Sequence, residues 1–268
     1  MAMMAPTEWE IFVVKHGTRA TARSEVFLNY GFYGEPDGEY TVDYYFWVLR
    51  SGDSVIHIDT GYSAAGAKKR GREVLIDPLQ ALAQLGMPAD AGHPVVVTHA
   101  HYDHIGNLAA FTRSPIHIAR AELEFWRSDI GSRPLFSHYG DSEEIAHLSE
   151  AEAQGRLKVV DGHAEIAPGV ELIELGGHTP GQLVVRVVTS IGTVILAADA
   201  AHFQEELERD MLFQSMADLP GSYRALDWLR AQEGAVIVTG HDASELGRFS
   251  PLAGPLAGLV ATIGSPDA

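Results

Sequence analysis

The run Thr98-His99-Ala100-His101-Tyr102-Asp103-His104-Ile105-Gly106-Asn107 comes directly after the apolar stretch Pro94 to Val97 and packs three imidazoles and one carboxylate into six consecutive positions. Clustered imidazoles at a strand end are costly unless they are hydrogen-bonded, solvated or ligating. Side chains alternate along an extended segment, so His99 and His101 point the same way and can share one ion. Asp103 and His104 fall beyond the strand, where a turn swings them towards a second ion. The chain contains no cysteine, which excludes disulfides, thiolate metal sites and cysteine nucleophiles. Any metal must be held by nitrogen and oxygen, a donor set that suits zinc, with iron or manganese as alternatives.

Three other segments share this pattern of a ligand-type residue in a turn or at a strand end. Gly176-Gly177-His178-Thr179-Pro180-Gly181 sets a histidine in a glycine-flanked turn, Ala197-Ala198-Asp199-Ala200 ends an apolar strand on a carboxylate, and Val238-Thr239-Gly240-His241-Asp242 repeats the strand-then-histidine order. Each is weak alone. Together with the first cluster they place chemistry where loops gather into a site. The remaining histidines show no ligand spacing with one another; His57, two residues before Asp59, is the one nearest to a supporting position.

Strand-like runs recur at Ile11 to Val14, Tyr44 to Leu49, Ser54 to Ile58, Pro94 to Thr98, Pro115 to Ile118, Leu157 to Val160, Val170 to Glu174, Leu183 to Val188, Thr193 to Ala197 and Ala235 to Thr239. Helical periodicity marks Asp77 to Leu85, Arg120 to Trp126, Ser142 to Ala153, Gln204 to Asp210 and Ser222 to Gln232. The early strands succeed one another without helices, which argues for sheets packed on each other with helices outside rather than a doubly wound sheet. A length of 268 residues with 46% hydrophobic and 21% charged content fits one globular domain over 1–268, with a loose tail at 264–268. A formal charge of −17 repels phosphate backbones and anionic membranes, so neither nucleic acid nor a membrane is an expected partner. The first ten residues lack a basic and apolar leader pattern, and a cytoplasmic protein is the default expectation.

With these residues in place, the chain resembles the metallo-β-lactamase superfamily from about Tyr44 to His241. The gaps of 74 residues from His104 to His178, 21 to Asp199 and 42 to His241 look most like the N-acyl homoserine lactonase and pyridoxolactonase branch. The resemblance implies an α/β fold, the four-layer αββα sandwich. It implies two Zn2+ per chain: His99, His101 and His178 on the first, Asp103, His104 and His241 on the second, and Asp199 bridging. Ile58-Asp59-Thr60-Gly61 matches the family's strand-end aspartate, so Asp59 is expected to orient a ligand histidine through its free ring N–H.

The resemblance further implies hydrolysis of a small-molecule lactone or ester, with N-acyl homoserine lactone first among substrates and quorum quenching as the role. Hydroxide bridging the two cations would attack the carbonyl, and Asp103 would take up a proton. Family members commonly carry a tyrosine three residues after the bridging aspartate. Here that position is His202, which can still donate a hydrogen bond or a proton. Phe27 to Gly34 and Met211-Leu212-Phe213 are candidates for an apolar lid. Thioester cleavage of the glyoxalase II kind and iron-dependent redox chemistry are the alternatives, and a homodimer stays open.

Overall fold

A computed structural model describes residues 7–265, so the tail expected at 264–268 and the start of the chain lie partly outside the described residues. Among the described residues, fourteen strands form two sheets. The first sheet takes β1 (Glu10–Ala22), β2 (Glu39–Ser51), β3 (Ser54–Ile58), the short β4 (Glu73–Val74) and β5 (Val95–Val96), β6 (Ile116–Ala119) and β7 (Leu157–Val160). The second is built from β8 (His163–Ala167), β9 (Val170–Glu174), β10 (Leu183–Thr189), β11 (Gly192–Ala198) and β12 (Val236–Thr239). The chain then returns to the first sheet with β13 (Ser250–Pro251) and β14 (Val260–Ile263). Spatial order is β13-β14-β1-β2-β3-β5-β6-β7, with β4 beside β1, and β12-β11-β10-β9-β8.

The alternation of side chains along each strand decides which core it serves. Ile11 and Val13 face the second sheet, where they meet Trp47, Leu172, Val185 and Leu196 in the core between the sheets. Phe12 and Val14 face the other way, towards helices α2 (Pro78–Gln84), α4 (Arg120–Trp126) and α6 (Ser142–Ala153), whose Leu82, Leu123 and Leu148 pack on that side. On the far face of the second sheet, Val184, Ile195 and Ala197 meet Leu226 and Leu229 of α8 (Leu219–Arg230). The four layers are therefore helix, sheet, sheet, helix, as the resemblance implied. Each large apolar side chain so buried contributes about 1.5–3 kcal/mol against conformational entropy.

Differences from the sequence-based expectation have local causes. The strand expected over Pro94 to Thr98 pairs only at Val95 and Val96, because the next residues leave the sheet to form the site. β8 and β14 carry no clear strand pattern: His163–Ala167 has mixed polarity, and β14 sits among glycines and prolines. Helices α1 (Ala64–Arg70), α3 (Tyr102–Ile105) and α5 (Pro134–Ser137) were not expected, whereas α7 (Gln204–Arg209) forms where Gln204 to Asp210 was expected. α8 starts at Leu219, three residues before the expected Ser222, with Pro220 near its N-terminus, where a missing N–H costs nothing. No helix among the described residues is long and apolar enough to cross a membrane.

Candidate metal centre

β3 and β5 run parallel in one sheet, as do β11 and β12 in the other, so their carboxyl ends present Asp59, His99, Asp199 and His241 at one rim. His99 and His101 leave β5 extended, and the single turn α3 then carries Asp103 and His104. Ligand-capable atoms of His99, His101, His178 and Asp199 form one group, and those of Asp103, His104 and His241 a second, with the atoms of each group within 4.8 Å of one another. All seven residues are buried. His99 and His101 share the first group, as their alternation along the extended segment requires. Asp199 lies between the groups: one carboxylate oxygen is 3.3 Å from His178 Nε2, and the other is 3.4 Å from His104 Nε2 and 3.2 Å from His241 Nε2.

A ring of buried hydrogen bonds sets these side chains. Asp59 Oδ2 accepts from His104 Nδ1 at 2.7 Å and from the Thr98 hydroxyl at 2.7 Å, while Oδ1 accepts from the Thr98 N–H at 2.8 Å. That arrangement turns His104 Nε2 into the site and fixes the entry to the His99 segment. His241 Nδ1 lies 2.8 Å from the Asp43 carbonyl, which likewise leaves its Nε2 facing Asp199. Asp59 and Ala198 adopt positive φ angles of 62° and 43°. Such backbone costs of order 1–3 kcal/mol per residue and persists where surrounding contacts over-determine it. Gly240 is dictated by close approach, since a Cβ there would lie 2.5 Å from Asp199 Oδ1.

Glu122 was not foreseen. It is fully buried on α4, and its Oε1 accepts from the Ala100 N–H at 2.8 Å and Trp126 Nε1 at 2.7 Å, while Oε2 accepts from the Gly181 N–H at 3.1 Å. One carboxylate thus ties the His99–His101 segment to the His178 turn. Its one sequence signal is an acidic residue on the apolar face of a helix.

His202 is wholly buried, with Nε2 3.2 Å from Asp199 and Nδ1 3.2 Å from Glu206, whose carboxylate also accepts from the His202 and Phe203 N–H groups. The Phe213 ring stacks over it at 4.0 Å. His202 does not line the cavity that reaches the cluster, whereas Phe213 does. His57 is remote from the ligands, packed against Phe111 with neither ring nitrogen hydrogen-bonded.

The charge balance of the cluster fits metal. Burial drives His99 and His178 well below the usual imidazole range and His101 to about 3, so these rings are neutral and ready to ligate. Burial acts in the same direction on His104, yet Asp199, Asp59 and Asp103 outweigh it and hold that ring well above the usual value. Burial raises the Asp199 carboxyl, and His241, His104 and His202 overcome it and hold it well below the usual range. A site that retains protons on imidazoles to balance its carboxylates is short of positive charge, and His99 Nε2, His104 Nε2 and Asp199 Oδ1 are buried without hydrogen-bond partners. Two divalent cations would meet both deficits.

Two connected spaces open from the cluster. A cavity of about 50 Å³ is bordered by Asp103, Asp199 and His241 with Arg19, Arg72 and Tyr44. A larger one, about 300 Å³, is walled by Leu28, Phe125, Leu135, Phe136, Met216 and Leu219. His101, His178, Tyr139, Gln214 and Ser215 border both. Of the two expected lid segments, Leu28 and Phe213 reach these spaces, while Phe27, Met211 and Leu212 are buried beneath.

Known proteins are similar to this chain in sequence and in fold. An N-acyl homoserine lactonase of a Bacillus species is 30% identical over 155 residues, 56% of each chain, so the chain spans a little over half of that relative's length. A solved quorum-quenching N-acyl homoserine lactone lactonase superposes with a TM-score of 0.74 at 23% identity, covering 90% of this chain and 95% of the other. A dizinc quorum-quenching lactonase solved with an acyl-homoserine product gives 0.65 at 19% identity, covering 98% and 96%. The metallo-beta-lactamase superfamily profile matches residues 41–241, a span that contains every residue of the cluster, and the chain belongs to that superfamily.

Proposed function

We propose that this protein is a single-domain, metal-dependent hydrolase that opens a lactone ring, with N-acyl homoserine lactones as the first candidates. The observation that carries this reading is the complete set of seven His and Asp ligands at the junction of a small polar cavity and a larger apolar one. His99, His101 and His178 would hold one zinc ion and Asp103, His104 and His241 the other, with Asp199 shared. Two such ions supply Lewis acidity and a nucleophile made from water at neutral pH.

The chain's own groups then position and protonate. An acyl chain enters the space between Phe125, Phe136 and Met216, where burial of each methylene favours binding by about 0.8 kcal/mol. Tyr139, Gln214 and Ser215, at the junction, offer hydrogen bonds to an amide or ring oxygen. Phe213 shields the cluster from bulk water. Asp103, with Oδ2 3.8 Å from His241 Nε2 and its carboxylate on the cavity, accepts the proton released as water adds to the carbonyl. His202 we assign to positioning: wedged between Glu206 and Asp199, it fixes the shared carboxylate rather than touching substrate.

Zinc-loaded protein assayed against lactones, thioesters, phosphodiesters and β-lactams, with Asp199→Ala as control, tests the assignment. Lactones are expected to turn over fastest, and turnover of phosphodiesters alone would refute it. Thioester preference, or stoichiometric iron with oxygen consumption, would point to the two alternative chemistries of this ligand set.

A further inference from the structure

The small cavity beside the cluster has an unexpected electrostatic character. In a chain of net charge −17, its wall includes two guanidinium groups, Arg19 and Arg72. Arg19 is neutralised by Glu25 at 2.9 Å. Arg72 donates from Nε to the Tyr102 hydroxyl at 3.1 Å and from Nη1 to the Arg70 carbonyl at 2.8 Å, and it makes no ion pair with a carboxylate among the described residues. Its Nη2 has no protein acceptor among the described residues. The group is also held in place: Tyr102 is buried, stacked on Tyr62 with ring centroids 6.2 Å apart, and the Arg70 guanidinium lies 3.9 Å from the centroid of its ring. An ordered, half-buried guanidinium with a free donor edge, facing a reaction site, is an anion-recognition element.

Resting on the lactonase reading, we propose that the preferred substrate carries a carboxylate on the part of the molecule that occupies this small cavity, and that Arg72 recognises it. The two spaces then divide the substrate between them, the apolar substituent going between Phe125 and Phe136 and the charged one towards Arg72. The cavity of about 50 Å³ has room for a carboxylate. Arg19, already paired, adds long-range attraction and no direct contact.

The probe pair is the γ-lactone of 2-hydroxyglutaric acid and its neutral carboxamide, which differ in charge and hardly in shape. Zinc-loaded enzyme should favour the carboxylate by about 10-fold or more in kcat/KM, the usual scale of a charge-assisted hydrogen bond. That ratio should shrink as salt rises from about 0.05 to about 0.5 M. Arg72→Met should bring the ratio near one and Arg72→Lys should keep part of it, with folding of both checked by circular dichroism. Calorimetric binding of the same pair reads the ratio without turnover. Retained selectivity in binding with no ring opening would refute the lactonase reading and leave the anion site standing. A wild-type ratio near one, or equal losses for both probes in Arg72→Met, would overturn the anion site and reduce Arg72 to a brace for Tyr102.

Discussion

Replacing Glu122 with alanine should damage the metal centre without touching a ligand. The substitution removes the acceptors of three buried donors, the Ala100 and Gly181 N–H groups and Trp126 Nε1. Each buried donor left without a partner costs about 1–3 kcal/mol. Water entering the vacated space recovers part of this, so a net loss of about 3–5 kcal/mol is expected. That is a large share of the roughly 5–15 kcal/mol that holds a typical domain together. Because Ala100 lies between His99 and His101, and Gly181 three residues from His178, zinc affinity should also fall by about 10–100-fold, the usual effect of removing a group that orients ligands. Glu122→Gln retains the acceptor facing Ala100 and Trp126 but turns an NH2 towards the Gly181 N–H, and should lose about 1–3 kcal/mol. Urea unfolding of metal-free protein gives the stability term, and competition with a chromophoric chelator gives the affinity. If Glu122→Ala changes stability by less than about 0.5 kcal/mol and binds zinc as wild type does, the carboxylate does not tie the two segments together and the reasoning fails.

Further outcomes are expected elsewhere. Asp59→Asn should weaken zinc at the His104 position by about 10–100-fold while leaving two ions bound at saturating metal, as a stepwise zinc titration would read. Gly240→Ala drives a Cβ to 2.5 Å from Asp199 Oδ1 and should displace the shared carboxylate, seen as loss of one equivalent of metal by elemental analysis. His57, whose ring burial holds at about 3, must be neutral to stay folded. The unfolded chain takes up the proton first, so this residue costs stability as pH falls below the ordinary histidine value, by about 2 kcal/mol between pH 7 and pH 5. His57→Leu also removes a ring whose nitrogens have no partners. Metal-free His57→Leu should therefore match or exceed wild type at pH 7 and lose less on acidification, and a larger acid loss in the variant's urea midpoint would contradict this.

The parts of the site visible in the sequence are those where ligand type and strand position coincide. His99 and His101 stand out by density and alternation, and Asp59 by its place at the end of an apolar strand. Long or strongly patterned elements such as Ser142–Ala153 and Val170–Glu174 have the bounds expected of them. What was hidden depends on contacts between distant segments. Glu122 looks like any helix carboxylate until the His178 turn is folded against it, and Arg72 looks like a surface cation until Tyr102 places it on the cavity. His202 has the residue type of a catalytic group, yet Phe213, a residue eleven positions later, covers it. Two-residue strands such as Glu73–Val74 and Ser250–Pro251 escape pattern reading because too few residues alternate to show a period.

Anomalous diffraction above the zinc edge from crystals grown with zinc tests the central claim most directly. Two peaks are predicted, one among His99, His101 and His178 and the other among Asp103, His104 and His241, with the Asp199 carboxylate between them. A single peak, or metal bound away from these side chains, would contradict it.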